Sequence, residues 1–200
     1  HSPLTFKVDS VEYMHERPIA TQQTGFTFVA QMRSWLPDYI GGILWFGLDD
    51  AASNVYMPMY CGINKVPWCL DEKNGAMLEY SPTAAFWTFN AVANFAYGKY
   101  SYMMTDIKKL QTEIESGFKM EVPETDKKAQ QLTESDARAF LTDYSNTNAE
   151  RVNASWKKLG EYLLVKYMDG NIKREANGKF VENGHGVPTG LIRAGYPVEF

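Results

Sequence analysis

The clearest structural signal in the sequence is the stretch Gly25-Phe-Thr-Phe-Val-Ala-Gln-Met-Arg-Ser-Trp-Leu36. The even-numbered residues from 26 to 32 are all apolar, whereas Gln31 and Arg33 place polar groups at the alternate positions. A two-residue period of this kind is typical of a half-buried β-strand. We therefore predict a strand with an apolar face and a polar face.

Two further strands are expected after this one. They are Ile43-Leu-Trp-Phe-Gly-Leu48 and Val55-Tyr-Met-Pro-Met-Tyr-Cys61, separated by a polar turn from Asp49 to Asn54. Pro58 places the third strand at an edge or next to a bulge. Three strands joined by short connections predict an antiparallel meander. A short hairpin or kinked strand around Asp9-Ser10 precedes it.

Helical spacing dominates the second half of the chain. Ser81-Pro82 resembles a helix start, because serine caps and proline suits the first turn. Pro123 is expected to end that helical region, and residues 121–135 to form a charged connection or a solvated helix. A last helix is predicted from about Asp136 to Met168, with Gly170 as its C-terminal cap.

These patterns predict an α+β fold in which an antiparallel meander is followed by long helices. The 200 residues suit a single unit, with strands over 1–65, helices over 81–170 and an irregular tail over 171–200. The tail contains one weak hairpin signal, Asn177-Gly178.

Charge and hydropathy narrow the range of functions. The net charge of −4 and the absence of a basic stripe argue against nucleic acid as a partner. The sequence has no apolar run of the roughly 18 to 20 residues that cross a bilayer. The chain starts directly in strand-like sequence, so we expect it to be a fragment or a processed product. Exported (periplasmic) and cytoplasmic locations both remain open.

The cysteines and histidines predict neither a metal site nor a cofactor site. Cys61 and Cys69 have a spacing unlike any zinc signature, and the three histidines are scattered. A disulfide between the cysteines and a pair of free thiols both remain open. A nucleophilic role for Cys61 would need a nearby base, and none is close in sequence, so a buried strand cysteine is favoured.

Two polar groupings remain as candidates for chemistry. Asp38, Asp49 and Asp50 flank strand turns, where capping of the local backbone is favoured over acid–base work or cation binding. Gln31 and Arg33 stand on one face of the first strand of the meander. They either orient a substrate carboxylate or carbonyl through charge-assisted hydrogen bonds or face solvent.

Several stretches resemble the dipeptidase A family of cysteine hydrolases, which are N-terminal-nucleophile hydrolases. The likeness runs from about Leu4 to Asn171 and is carried by residues 20–37, 41–50, 55–63, 85–90, 140–145 and 156–167. The resemblance implies a layered αββα fold with two antiparallel sheets between helical layers. It also implies hydrolysis of dipeptides without a cofactor.

In that family a cysteine at the mature N-terminus attacks the peptide carbonyl, and its own α-amino group acts as the base. This sequence begins with His1 and resembles the carboxy-terminal portion of the family. The resemblance therefore implies no catalytic residue in this segment, and makes Gln31 and Arg33 candidates for lining the substrate cleft. The expected partners are a dipeptide and the missing N-terminal part.

Alternatives to the dipeptidase remain. The segment could be a non-catalytic module that binds a protein partner through its aromatic surface, or part of a related amide hydrolase of the choloylglycine-hydrolase or penicillin-acylase type. We also expect a truncated sheet to expose an apolar edge or face, so that the chain associates with itself as a homo-oligomer.

Overall fold

The computed structural model describes residues 5–14 and 20–193 of the chain. Its helices are α1 (Asp38–Gly41), α2 (Ala85–Tyr97), α3 (Tyr100–Ala129) and α4 (Glu134–Tyr167). Its strands are β1 (Thr5–Val8), β2 (Val11–Met14), β3 (Phe26–Met32), β4 (Gly42–Leu48), β5 (Met57–Tyr60), β6 (Asn171–Ile172), β7 (Glu175–Ala176), β8 (Lys179–Phe180) and β9 (Ile192–Arg193). The predicted α+β class, with a small antiparallel sheet followed by long helices, is confirmed.

A short hairpin begins the described chain. β1 and β2 pair in antiparallel fashion, with Val8 opposite Val11. Asp9 and Ser10 between them both have positive φ angles, of 50° and 67°. Two left-handed residues in a two-residue loop match the right-handed twist of the flanking strands. The predicted break at Arg17-Pro18 lies outside the described residues.

The predicted meander is present as a sheet with the strand order β3-β4-β5. Both neighbouring pairs are antiparallel, with Phe28 opposite Phe46 and Leu44 opposite Met59. The short helix α1 forms the connection between β3 and β4. Gly41 ends this helix so close to the backbone that an added Cβ would lie 2.9 Å from the Arg33 carbonyl oxygen.

Burial increases steadily across the sheet. Every residue of β5 is buried, β4 is buried or half-buried, and β3 is exposed except for the half-buried Thr27. Phe26, Phe28 and Met32 are 58%, 54% and 75% exposed. The prediction of a half-buried first strand is therefore wrong. The physical reason is that the helices pack mainly against β4 and β5 and leave most of β3 uncovered.

The helices begin and end close to the predicted positions, with two corrections. α2 begins at Ala85 rather than at Ser81-Pro82, because the Ser81 hydroxyl donates to Asn74 Oδ1 at 2.6 Å instead of capping a helix. α3 continues through Pro123 to Ala129. Pro123 lies on the exposed side of this helix, and buried residues on the other side hold the turns that follow it.

Two apolar clusters form the core. The larger one joins β5 to α2, α3 and α4 around Phe89 and Trp156, whose rings stack at 4.9 Å. The smaller one joins Ile43 and Tyr60 of the sheet to the end of α3 and the start of α4. Both clusters include α4, which therefore holds the sheet and the other helices together. The helices of the described chain include none that combines the length and apolar character of a membrane span.

The segment after α4 folds back onto that helix. β6 pairs with β9, and β7 pairs with β8. The β7–β8 turn contains Asn177 and Gly178, both with positive φ angles, so the hairpin predicted at these two residues is confirmed. The segment after α4 is therefore less irregular than predicted. Lys166 Nζ of α4 reaches Asp106 at 3.0 Å and Glu175 at 2.9 Å.

Candidate functional site

Gln31 lies near the end of β3, on the face that is turned toward α3. Its side chain is exposed, and its Oε1 accepts a hydrogen bond from Trp45 Nε1 at 2.8 Å. Trp45 also lines a surface pocket of about 460 Å³ between this face and α3. The amide nitrogen of Gln31 makes no hydrogen bond within the described residues, so it can donate to a ligand. The prediction that Gln31 binds substrate stays a prediction.

Arg33 follows β3 directly and is buried, with 6% of its surface exposed. Its Nε donates to the Gly41 carbonyl at 3.2 Å and its Nη2 to the Ile40 carbonyl at 2.8 Å. Its Nη1 forms an ion pair with Asp126. Three of its donors are thus held inside the protein. Arg33 therefore fixes α1 and α3 to the sheet, and its predicted role toward substrate is untested.

Asp126 completes this buried network. Its second carboxylate oxygen accepts a hydrogen bond from the Tyr60 hydroxyl at 2.7 Å. Burial, together with this hydrogen bond to the carboxylate, raises the pKa of Tyr60. The guanidinium of Arg33 also lies 5.8 Å from the centre of the Tyr60 ring. The network is satisfied internally, which suits a structural role better than acid–base chemistry.

Asp49 and Asp50 sit in the turn that follows β4, whereas Asp38 is exposed in the first turn of α1. Asp49 adopts a positive φ of 63°, and its carboxylate accepts from the Asp50 amide at 2.8 Å and from Asn90 Nδ2 at 2.6 Å. Asp50 accepts from the Ser53 hydroxyl at 3.1 Å. The predicted capping of the local backbone is visible for Asp49, whereas the Asp50 carboxylate bonds a side-chain hydroxyl instead.

Both turn aspartates are more deeply buried than a turn usually requires, at 2% exposure each. Burial raises the pKa of Asp49, although its hydrogen bonds from Asn90 and the Asp50 amide work in the opposite direction. Within residues 5–14 and 20–193, no group of three or more histidine, cysteine or acidic side chains could hold a metal ion.

Both cysteines are free, and their surroundings differ. Cys61 follows β5 and is exposed, so the interpretation as a buried strand cysteine is wrong. Its amide donates to the Gly42 carbonyl at 2.9 Å, and the backbone then leaves the sheet. Cys69 is buried, and its amide donates to Glu150 at 2.8 Å. Burial, followed by the nearby Glu150 carboxylate, raises the pKa of the Cys69 thiol.

A pocket of about 580 Å³ opens beside these cysteines. Its floor is the face of β4 that carries Leu44, Phe46 and Leu48, and its walls come from the loop after β5 and from the start of α2. Cys61 and Cys69 both line it, together with the polar groups of Asp71 and Asn74. The lining is predominantly apolar, which suits the burial of hydrophobic groups rather than a charged ligand.

The sequence matches the model of a known protein family. The model of peptidase family C69 matches residues 2–113, which is more than half of the chain. The chain belongs to peptidase family C69. The resemblance to the dipeptidase A family is therefore confirmed, and the family suggests a peptidase. No protein with a curated description matches the sequence.

The C69 match covers the hairpin, the sheet, α2 and the first part of α3. It includes Gln31, Arg33, both turn aspartates and both cysteines. Asp126 lies beyond it, and sequence reasoning missed this residue as the partner of Arg33. The available signal was the helical spacing of Val122 and Ala129, which continues past Pro123 and places Asp126 on the inner face of a helix.

Proposed function

We propose that this chain is the carboxy-terminal part of a cysteine dipeptidase, whose nucleophile is an N-terminal cysteine that the chain itself does not contain. Membership of peptidase family C69 supports the peptidase class. The resemblance to dipeptidase A supplies the substrate class and the nature of the nucleophile. The chain then contributes three sheet strands and the helices that hold them.

The observation that carries this proposal is the state of the two cysteines. A cysteine nucleophile needs a thiolate stabilised by a neighbouring base or cation. The Cys69 thiol is buried, and its pKa is raised. The Cys61 thiol forms no hydrogen bond to a histidine, lysine or carboxylate among the described residues. Neither cysteine has the surroundings of an activated nucleophile.

Gln31 is the better placed of the two residues proposed to contact substrate. Its exposed amide nitrogen can donate to a peptide carbonyl or to the terminal carboxylate of a dipeptide, and Trp45 fixes the position of its Oε1. Arg33 has its donors engaged with Gly41, Ile40 and Asp126. We propose that Arg33 fixes the end of β3 to α1 and α3, and affects substrate binding only through the position of that strand.

The first test is the activity of the purified 200-residue chain toward a panel of dipeptides. We expect no turnover that a thiol-alkylating inhibitor can block. The Cys61→Ser variant is the control, because it removes the only exposed cysteine among the described residues. Turnover that the inhibitor blocks and that Cys61→Ser abolishes would show that the chain carries its own nucleophile, and the proposal would fall.

The second test uses a longer protein that begins with a cysteine and ends in this chain. It should hydrolyse dipeptides, and replacing its first cysteine by alanine should abolish the reaction. In that protein Gln31→Leu should lower kcat/KM by about tenfold, the worth of one hydrogen bond of roughly 1.4 kcal/mol. Thr105→Ala, an exposed change on α3, should leave kcat/KM unaltered. An unchanged kcat/KM for Gln31→Leu would remove Gln31 from the site.

A further inference from the structure

The surface pocket between the sheet and α3 has two unlike walls. Its volume is about 460 Å³, and the side chains of Val29, Trp45 and Tyr56 form the wall on the sheet side. The wall on the α3 side is polar and carries two opposite charges, Glu115 and Lys119. One wall of this groove therefore offers apolar and aromatic surface, and the other offers an anion and a cation.

The two charges of the groove do not neutralise each other. Glu115 and Lys119 are four residues apart on α3, a spacing that allows an ion pair, and Glu134 and Arg138 at the same spacing on α4 do pair, at 2.8 Å. The Lys119 ammonium has no ion-pair or hydrogen-bond partner among the described residues. One carboxylate oxygen of Glu115 accepts from the Tyr56 amide at 3.1 Å, which fixes the carboxylate at the groove. An anchored anion and an available cation therefore line the same groove.

The two ends of the groove can be distinguished because β3 and α3 run side by side in the same direction. At one end Asn54 bridges the two elements: its Nδ2 donates to the Thr27 hydroxyl at 2.9 Å, and its carbonyl accepts from Gln111 at 2.7 Å. At the other end Arg33 pairs with Asp126. Higher residue numbers on β3 therefore lie beside higher residue numbers on α3.

This arrangement places Lys119 nearer to Gln31 than Glu115 is. Gln31 is on the same face of β3 as Val29, because side chains alternate along a strand. Its amide nitrogen is available, as described above. An ammonium and an amide donor at one end of the groove suit a carboxylate, and the Glu115 carboxylate at the other end suits an ammonium.

Given the dipeptidase function proposed above, on which this assignment rests, we propose that the groove binds the dipeptide by both of its charged ends. Glu115 accepts hydrogen bonds from the α-ammonium group. Lys119 and the amide nitrogen of Gln31 donate to the α-carboxylate. The dipeptide then lies along β3 in the direction of that strand, with apolar side-chain atoms against Trp45.

The spacing of the two charges favours a peptide of two residues. Glu115 and Lys119 leave α3 roughly 6 Å apart along the helix axis, at a rise of about 1.5 Å per residue. The charged ends of an extended dipeptide are roughly 6–7 Å apart. Each further residue adds about 3.5 Å, so an extended tripeptide that contacts one charge overshoots the other.

Binding to an inactive form of the longer protein, in which alanine replaces its first cysteine, tests the groove without turnover. Calorimetry compares alanyl-phenylalanine with its N-acetyl derivative and with its C-terminal amide. Each blocked ligand should bind about fivefold more weakly than the free dipeptide, because ionic contacts in an open groove are partly screened by water and salt.

Two substitutions connect each end of the ligand to one residue. Glu115→Gln, which keeps an acceptor for the Tyr56 amide, should weaken the free dipeptide about fivefold and leave the N-acetyl derivative unchanged. Lys119→Met should weaken the free dipeptide about fivefold and leave the C-terminal amide unchanged. Glu113→Gln and Lys108→Met, exposed changes on α3 outside the groove, are the matched controls and should alter none of the three affinities.

The groove assignment and the proposed function can fail separately. Unchanged affinities in Glu115→Gln and Lys119→Met, or an equal loss for free and blocked ligands, would overturn the groove assignment, even if the active longer protein hydrolyses dipeptides. The expected pattern of affinities in a longer protein that hydrolyses no dipeptide would support the binding groove and overturn the dipeptidase function alone.

Discussion

Arg33 shows how one buried cation can organise a junction between elements. Removing a guanidinium from water is unfavourable unless its donors are satisfied, and here two carbonyls and one carboxylate accept from it. The carbonyls belong to α1 and the carboxylate to α3. The position of β3 relative to both helices therefore depends on this single side chain.

Replacing Arg33 by methionine should lower the free energy of unfolding by about 3–5 kcal/mol, because it leaves the Asp126 carboxylate buried without a cation. Adding Asp126→Asn, which removes that charge and keeps an acceptor for Tyr60, should recover more than half of the loss. Lys127→Met, in the exposed pair with Glu124, is the control and should change stability by less than about 0.5 kcal/mol. Urea denaturation of the three variants measures these values, and a loss below 1 kcal/mol for Arg33→Met would contradict this role.

At the scale of residues, the sequence predicted that Gln31 and Arg33 share a side of the chain, and it could not predict their different surroundings. Alternation fixes the direction of a side chain, whereas burial depends on what covers it. Asp126 lies 93 residues from Arg33, in a segment whose charges suggested a solvated connection. A contact of that range depends on how α3 packs, which local spacing does not specify.

The start of helix α4 is capped by a threonine side chain. Thr133 is the N-cap: its Oγ1 accepts from the Asp136 amide at 3.3 Å and donates to the Asp136 carboxylate at 2.7 Å. The first bond satisfies one amide that has no partner within the helix, and the second fixes the hydroxyl that accepts it. Because both core clusters include α4, fraying at this end would loosen the smaller cluster around Leu141.

Thr133→Ala should therefore cost about 1 kcal/mol of unfolding free energy, and Thr133→Ser should cost only a few tenths because serine keeps the cap. Thr105→Ala, in the second turn of α3, is a control for loss of an exposed threonine hydroxyl. Thermal denaturation monitored by circular dichroism provides the comparison. Equal losses for the alanine and serine variants at position 133 would exclude a capping contribution.

Helix boundaries show where element-level prediction succeeds and where it fails. Apolar spacing predicted the bounds of α4 to within a few residues, whereas its C-cap is Met168 and not the predicted Gly170. The rule that proline ends a helix failed at Pro123, because packing of Val122, Asp126 and Ala129 outweighs one lost backbone hydrogen bond. Propensity is a local effect of a few kcal/mol at most, and tertiary contacts over several turns exceed it.

At the scale of the whole molecule, the segment after α4 is held to the helices by a charged cluster. Lys166 contacts Asp106, Glu175 and the Tyr162 hydroxyl. Burial alone would lower the pKa of Lys166, but these hydrogen bonds outweigh it and raise the pKa. Burial likewise acts to raise the pKa of Glu175, and the hydrogen bonds from Tyr162 and Lys166 outweigh it, so its pKa is lowered.

The sign of the pH effect follows from Glu175. A carboxyl whose pKa falls on folding stabilises the protein above its ordinary pKa of 4.5, and this stabilisation is lost as the pH falls through the lowered value. Glu175→Gln should therefore cost about 0.5–1 kcal/mol at pH 7, and progressively less as the pH falls from 4.5 through the lowered pKa. Glu113→Gln, an exposed change on α3, should show no such dependence. Urea denaturation across this pH range measures the free energy of unfolding of each variant. A loss for Glu175→Gln that does not change with pH would contradict the ion pair.

The class, the strand order and the approximate extent of α4 could be predicted from period and turn chemistry, whereas the uneven burial of the sheet could not. β3 has the alternation of a half-buried strand, yet Phe26 and Phe28 are exposed. The alternation of apolar and polar residues shows which face of a strand can pack against an apolar surface. It does not show whether a helix of the same chain covers that face. The candidate site was predictable only in part for the same reason.

The central position of α4 has a consequence for synthesis on the ribosome. The sheet is translated first, but the helix that covers β5 begins at Glu134, long after β5 ends at Tyr60. At about 5–20 residues per second, the apolar side chains of β5 remain uncovered for roughly 4–15 seconds. The nascent strands must stay unaggregated during that interval, so production of this protein is expected to depend on chaperone capacity and on the pace of translation between the two elements.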